Sequence, residues 1–172
     1  MMANIAVLVT DQFEDIELTS PEEALKNEGH TLTIISENNK QIIKGKHGTE
    51  YKVDQSIEVA TPSEFDGILL PGGFSPDLLR SDEKGEFGLF TKHFLEENKP
   101  SFAICHGPQL LIDTDLIKGK ELTSFVSVRK DLENAGAKIL EQPVVIDGNL
   151  ITSRTPDDLD EFNNAILNSL KY

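Results

Sequence analysis

The sequence of 172 residues contains one cysteine, Cys105, and no tryptophan. A single cysteine excludes a disulfide within the chain and is typical of a reducing compartment, so we expect a cytoplasmic protein. No apolar run is long enough to cross a bilayer, and the first residues lack the basic segment of a signal peptide. We therefore expect no membrane anchor.

Positive charge is also scarce, because 16 Lys and Arg residues stand against 30 Asp and Glu residues, for a net charge of −14. Non-specific binding of nucleic acid depends on cationic side chains that neutralise phosphates. Docking on anionic membranes depends on the same side chains. We expect neither a nucleic acid nor a membrane as partner, and we interpret the negative charge as a contribution to solubility.

The composition, 38% hydrophobic and 27% charged, is that of a folded globular protein, and the length fits one domain over residues 1–172. Short apolar runs alternate with longer amphipathic segments, which predicts an α/β protein with a mostly parallel sheet covered on both faces. Strands are predicted at 5–9, 31–36, 65–70, 101–104 and, as an antiparallel pair, at 144–146 and 150–152, with a hairpin over 42–53. Helices are predicted at 14–27, about 76–98, from 107 onward, and 156–170.

In such a sheet the functional site lies at the carboxyl ends of the strands. Three loops are predicted to meet there. They are the loop after residue 9, the loop at 71–73 and the turn that holds Cys105.

Cys105 lies between an apolar strand and a helix start in which Pro108 is near the first position. This arrangement is typical of a nucleophile elbow, a sharp turn that presents a reactive side chain at the edge of the sheet. A helix start favours negative charge, so the placement predicts a lowered pKa of the thiol. The alternative is a buried structural cysteine, which is common for a lone Cys.

Gly72 and Gly73 directly follow a predicted strand. Glycines there allow backbone N–H groups to approach a ligand, and beside a nucleophile such groups form an oxyanion hole. Taken alone, the pair is more often an ordinary glycine-rich turn. The spacing excludes a dinucleotide-binding fingerprint.

The first predicted helix begins with several acids, which the helix dipole alone would favour. Glu14 and Glu17 are three residues apart and share a face, so either can point at the sulfur. A protonated carboxyl there would donate a hydrogen bond to a thiolate, whereas an ionised one would accept the thiol proton.

His106 follows Cys105, but neighbouring residues at a helix start do not readily face each other. A histidine without a catalytic role is therefore the alternative. The other histidines, His30, His47 and His93, show no metal-ligand spacing, so we predict no metal and no cofactor. No histidine follows His106, which excludes α/β-hydrolases and amidotransferase-like enzymes.

Several motifs together resemble the PfpI family, the intracellular cysteine-peptidase-like branch of the DJ-1/PfpI superfamily. They cover nearly the whole chain in family order: 13–17 (FEDIE), 45–48 (GKHG), 70–73 (LPGG), 103–108 (AICHGP), 134–137 (NAGA) and 152–159 (TSRTPDDL). Residues 74–80 (FSPDLLR) further resemble the bacterial general stress proteins of this family.

The resemblance implies a flavodoxin-like three-layer α/β sandwich that assembles as a homodimer or a higher homo-oligomer. It implies that Cys105 is the nucleophile and that Glu17, rather than Glu14, hydrogen-bonds it. Gly73 and the His106 N–H, with Gly72 beside them, would form the oxyanion and substrate site. Asp77 would orient His106 of a neighbouring subunit; some protease-like relatives carry Glu there, one methylene longer.

The function implied by the resemblance is that of a cysteine-dependent stress-response hydrolase. Its substrates would be peptides, small carbonyl compounds or glycated proteins, through peptidase-like, glyoxalase or deglycase activity that adds a thiolate to an electrophilic carbon. Two alternatives stay open. One is a redox-responsive stress protein in which Cys105 oxidises to sulfenic or sulfinic acid. The other is a holdase chaperone, which rests on analogy alone.

Overall fold

The computed structural model describes residues 2–171. Its strands are β1 Asn4–Leu8, β2 Thr31–Ser36, β3 Ile42–Lys44, β4 Glu50–Lys52, β5 Gln55–Ser56, β6 Gly67–Leu70, β7 Ser101–Ile104, β8 Glu121–Leu122, β9 Lys138–Ile139, β10 Val144–Asp147 and β11 Leu150–Ser153. Its helices are α1 Asp15–Asn27, α2 Ser75–Arg80, α3 Glu86–Glu96, α4 Gln109–Ile112, α5 Arg129–Asn134 and α6 Leu159–Ser169, with short 3-10 turns at Pro62–Glu64, Val126–Val128 and Pro156–Asp158.

The central sheet has seven strands in the order β10-β11-β7-β6-β1-β2-β5. All neighbouring pairs in it are parallel except β10 and β11, which pair antiparallel as predicted. The predicted hairpin is the separate antiparallel pair β3-β4. The mostly parallel α/β sheet is therefore confirmed.

Each central strand sends alternate side chains to opposite faces of the sheet, as the period of two in a strand requires. In β1, Ile5 and Val7 pack in one core with residues of α1 and α6. Ala6 and Leu8 pack in the other core, which holds residues of α2, α3, α4 and α5. Helices thus cover both faces, which confirms the expected three-layer sandwich.

Two helical predictions need correction. The segment predicted as helical over about 76–98 forms two helices, because α2 ends at Arg80 and α3 begins only at Glu86, directly after Gly85 with its left-handed φ of 65°. The helix after the cysteine, α4, is only four residues long. Over residues 2–171 we find no helix with the length and apolar character needed to span a membrane.

Strand β6 lies between β1 and β7, so the three strands that precede the predicted site loops are neighbours. The loop after β1, the loop at 71–73 and the Cys105 turn therefore emerge side by side at the carboxyl edge of the sheet.

Candidate active site

Cys105 directly follows β7 and adopts a left-handed φ of 62°, which is rare for a residue with a side chain. Such a conformation costs about 1–3 kcal/mol and persists only where the surroundings hold it. Here the Cys105 N–H donates to Ser153 O at 3.1 Å, and the Phe125 N–H donates to Cys105 O at 2.9 Å. The predicted elbow is thus a strained turn fixed on both sides.

Gly107 allows this turn to lie against the end of β6. A β-carbon on Gly107 would be 2.0 Å from the carbonyl oxygen of Leu70, closer than any real contact. Only a residue without a side chain allows the elbow and β6 to approach this closely.

Glu17, in the first turn of α1, is fully buried beneath the elbow. Its Oε1 accepts the Gly72 N–H at 2.9 Å, while Oε2 has no partner among the nitrogen and oxygen atoms of the described residues. The Cys105 thiol faces this carboxyl. Burial raises the pKa of Glu17 to about 8, although the hydrogen bonds from Gly72 and Cys105 oppose the shift. Glu17 therefore holds its proton at neutral pH.

The pKa of the Cys105 thiol differs from the sequence prediction, which was a lowered pKa. The residue is only 7% exposed, and this burial raises the pKa of the thiol. The negative charge of ionised Glu17 raises that pKa as well, whereas the backbone N–H of His106 lowers it. With only four residues in α4, few aligned peptide dipoles offset the burial. The sulfur can thus form a thiolate only with help, and Glu17, in the ionised form that it adopts above its pKa of about 8, is the carboxyl placed to take the proton.

The two glycines of the 71–73 loop differ in what their N–H groups do. The Gly72 N–H is occupied by Glu17, so it positions that carboxyl and does not serve the oxyanion or substrate site assigned to it; this corrects the prediction for Gly72. A β-carbon on Gly72 would also lie 2.5 Å from Glu17 Oε1 and 2.9 Å from the His106 nitrogen, so a side chain would disrupt the site.

Gly73 has a φ of 76°, and a β-carbon on it would lie 2.4 Å from the Glu14 nitrogen. It pairs with Phe13 in an isolated antiparallel bridge. Within residues 2–171, neither the Gly73 N–H nor the His106 N–H donates to a backbone carbonyl or to a side-chain oxygen. Both remain able to stabilise an oxyanion near the sulfur.

The His106 ring is stacked on Phe125, with the ring centroids 4.9 Å apart, and its Nδ1 lies 3.3 Å from Gln109 Nε2. Burial lowers the pKa of His106, while the charge of Asp77 raises it and that of Lys46 lowers it. No hydrogen bond joins the ring to Cys105 in the described part of the chain. Burial thus favours the neutral form of the ring.

Asp77 lies in α2 of the same chain and acts on His106 through its charge. No hydrogen bond between the two side chains is found over residues 2–171. The predicted contact between Asp77 and His106 of a neighbouring subunit requires an assembly of chains, so it stays a prediction.

Lys46 is a site residue that sequence reasoning missed. It lies in the turn between β3 and β4, and its charge lowers the pKa of Glu17, Cys105 and His106 alike. The GKHG motif contained this signal, but the turn alone did not indicate that it folds over the start of α1.

The same turn brings His47 to the start of α1, where its Nε2 lies 3.0 Å from Glu14 Oε2. Ligand atoms of Glu14, Asp15 and His47 lie within 4.8 Å of one another, so these residues could hold a metal ion. Histidine spacing could not reveal this group, because its carboxylates lie some thirty residues earlier. Both Asp15 oxygens already accept backbone N–H groups, from His47 at 3.0 Å and from Thr49 at 2.9 Å.

Comparison with known proteins agrees with this geometry. Residues 3–169 match the model of the DJ-1/PfpI family. An uncharacterized protein of Staphylococcus saprophyticus is 54% identical over 170 residues, covering 99% of each chain. Among solved structures, a two-domain protein from Anabaena variabilis with DJ-1/ThiJ/PfpI-like and ferritin-like domains is 39% identical with a TM-score of 0.93; the match covers 98% of this chain and half of that one. DJ-1beta of Drosophila melanogaster is 27% identical with a TM-score of 0.88, over 99% of this chain and 91% of its own.

Proposed function

This chain belongs to the DJ-1/PfpI family, and from that premise we propose that it is a cysteine-dependent stress-response hydrolase whose Cys105 adds to electrophilic carbonyl carbons. Membership of the family supports a stress-related or peptidase-like role in general. The observation that carries the proposal is the left-handed elbow at Cys105 with the buried carboxyl of Glu17 against its thiol.

The first step follows from the positions of these groups. Glu17 in its ionised form accepts the thiol proton as the sulfur–carbon bond forms. The electron pair of the carbonyl π bond moves to oxygen, and the N–H groups of Gly73 and His106 are placed to stabilise that charge. With an aldehyde the proton returns to this oxygen and a thiohemiacetal results. With a peptide the adduct collapses and the carbon–nitrogen bond breaks, so that the amine leaves with the proton held by Glu17; water then hydrolyses the Cys105 thioester.

The test compares wild type with Cys105→Ala on methylglyoxal, on a glycated peptide and on a panel of unmodified peptides. We expect turnover of at least one class and its loss in the variant, with Cys105→Ser as the isosteric control. Turnover that is unchanged in Cys105→Ala would contradict the proposal. The class that is turned over decides between glyoxalase, deglycase and peptidase activity.

A second candidate is supported by the protonated state of Glu17. A neutral carboxyl beside the sulfur can donate a hydrogen bond to a sulfinate, and no second cysteine is present to resolve a sulfenic acid. We propose that Cys105 oxidises to sulfenic and sulfinic acid as a redox response. Intact-mass spectrometry after mild peroxide should show added oxygen in wild type and less in Glu17→Gln; no added oxygen in wild type would contradict it.

We also propose a homodimer or higher homo-oligomer. Two large apolar side chains next to the site residues in sequence, Ile16 and Phe74, are 48% and 46% exposed. Exposed apolar groups of this size favour burial against another surface. Light scattering should give a mass of at least two chains for wild type, and a monomer over the working concentration range would contradict the proposal.

A further inference from the structure

The turn that carries Lys46 is fixed rigidly against the start of α1. The Lys46 N–H donates to Phe13 O at 3.0 Å, and both oxygens of Asp15 accept N–H groups of the same turn. Gly45 is so close that a β-carbon on it would lie 2.4 Å from Asp15 Oδ1. The backbone position of Lys46 is therefore well determined.

Backbone contacts connect this position to the Gly73 loop, whose N–H is one of the two groups able to stabilise an oxyanion. Phe13, whose carbonyl holds Lys46, is the residue that bridges to Gly73. The bridge is flanked by a hydrogen bond from the Phe74 N–H to Gln12 O at 2.9 Å. Lys46 and the unoccupied N–H of Gly73 thus lie on adjacent segments beside the elbow.

The acids around Lys46 are engaged elsewhere. Asp11 pairs with Lys40, and Glu14 pairs with His47 at 3.0 Å. Asp15 accepts two backbone N–H groups, and Glu17 is protonated. Lys46 itself joins no salt bridge within residues 2–171. The net charge of −14 repels anions from the chain as a whole, so a cation without a carboxylate partner beside the nucleophile is the local group that can pair with an anionic substrate.

We propose that Lys46 is a specificity-determining residue that selects small carbonyl compounds carrying an anionic group, such as a 2-oxo carboxylate, over neutral ones. The proposal rests on the proposed function, because it concerns which carbonyl compounds reach Cys105. The ammonium group pairs with the anionic group while the carbonyl carbon faces the sulfur. Bond formation is the addition described above, with no oxidant or reductant. The Lys46 side chain is exposed, so water screens the pair, and a preference of roughly two- to fivefold is expected.

The experiment uses two alkylating agents of nearly equal size, iodoacetate and iodoacetamide, of which only the first is charged. In both reactions the sulfur–carbon bond forms, iodide leaves and the thiol proton is lost, so the ratio of the two rates cancels any change in thiolate fraction. We expect Lys46→Gln to lower the iodoacetate-to-iodoacetamide ratio roughly two- to fivefold. Lys46→Arg should keep it, and added salt should shrink the difference.

The matched control is Lys52→Gln, which removes the same charge from the exposed strand β4 of the same hairpin. We expect it to leave the ratio unchanged. An equal ratio in wild type and Lys46→Gln, or an equal fall in Lys52→Gln, would overturn the proposal.

A second measurement separates this proposal from the proposed function. 4,5-Dioxopentanoate, a 2-oxoaldehyde that carries a carboxylate, and methylglyoxal are compared as substrates, and Lys46→Gln should lower kcat/KM for the charged substrate roughly two- to fivefold more than for methylglyoxal. An equal fall for both would overturn the role of Lys46. Absence of turnover in wild type would overturn the proposed function, while the alkylation ratio would still report on Lys46.

Discussion

The backbone N–H of Gly72 donates to Oε1 of Glu17 at 2.9 Å, across 55 residues of sequence. This hydrogen bond fixes one carboxyl oxygen and leaves Oε2 without a nitrogen or oxygen partner in the described part of the chain. The carboxyl is buried, holds its proton at neutral pH and faces the only cysteine. Cys105 and Glu17 are therefore best treated as one pair that shares its protons.

The first prediction concerns the pH dependence of Cys105 reactivity. The pair loses its first proton as Glu17 titrates, with a pKa of about 8, so the rate of alkylation by iodoacetamide should rise through that pH. Glu17→Gln keeps the hydrogen bond from Gly72 but cannot accept the thiol proton. At about pH 8 its alkylation should be at least about tenfold slower.

Glu14→Gln is the control for this experiment, because it removes a carboxylate from the same helix start without touching the thiol. It should change the rate only slightly. A Glu17→Gln rate profile that overlies that of wild type would show that the carboxyl does not assist the sulfur.

The second prediction concerns stability. Glu17 has a pKa of about 8 in the folded chain and its ordinary value of 4.5 in the unfolded chain. Between these values the folded state binds a proton that the unfolded state has lost, so the stabilisation is present at low pH and disappears as the pH rises through about 8. Each pKa unit is worth about 1.4 kcal/mol. From about pH 5 to about pH 8, wild type should lose on the order of 3 kcal/mol more unfolding free energy than Glu17→Gln.

Urea denaturation of both proteins at the two pH values measures this difference. Other titrating groups are common to both chains and cancel in the comparison. Parallel pH dependences in the two proteins would mean that Glu17 is ionised in the folded state at neutral pH.

The third prediction concerns the His106 ring. Asp77 raises and Lys46 lowers the pKa of His106, in addition to the lowering by burial. Asp77→Asn should therefore lower the pKa of His106 further, and Lys46→Gln should raise it. Titration of the ring protons by NMR measures both shifts, with His106→Asn used to assign the signal.

Dilution adds a test of whether Asp77 acts within one chain. If Asp77→Asn still shifts the pKa of His106 in the most dilute sample, Asp77 acts on His106 of its own chain. If the shift vanishes on dilution, Asp77 acts on His106 of a neighbouring subunit. Shifts of the same sign in both variants would contradict the arrangement described here.

The fourth prediction concerns the elbow itself. A methyl group on Gly107 would overlap the Leu70 carbonyl oxygen, and the main chain would have to move. Gly107→Ala should lower the unfolding free energy by about 3 kcal/mol or more and slow Cys105 alkylation. Gly85→Ala is the control, because a β-carbon on Gly85 would have no atom within 4 Å. Only the φ of 65° opposes a side chain there, which costs about 1–2 kcal/mol. Equal stability losses in the two variants would show that the close approach at Gly107 is unimportant.

The architecture could be predicted from the sequence because its signals are local. The apolar runs that became β1, β2, β6 and β7 are short and buried, and the segments between them repeat with the period of a helix. The elbow was also visible, since a strand, a cysteine, a glycine and a proline follow one another in the chain. The division into α2 and α3 was missed because the stretch 81–85 between them contains no proline and only one glycine, Gly85.

The state of the site was decided by tertiary structure alone. Sequence placed Cys105 at a helix start and predicted a lowered pKa, yet burial from distant segments raises it. The Gly72 N–H is occupied by a carboxyl 55 residues away, and the charge of Lys46, on a hairpin held to the start of α1, lowers the pKa of Cys105. Protonation and charge depend on every group within a few ångströms, whichever part of the chain supplies it. Periodicity and turn residues determine the elements, and only their packing determines what the cysteine can do.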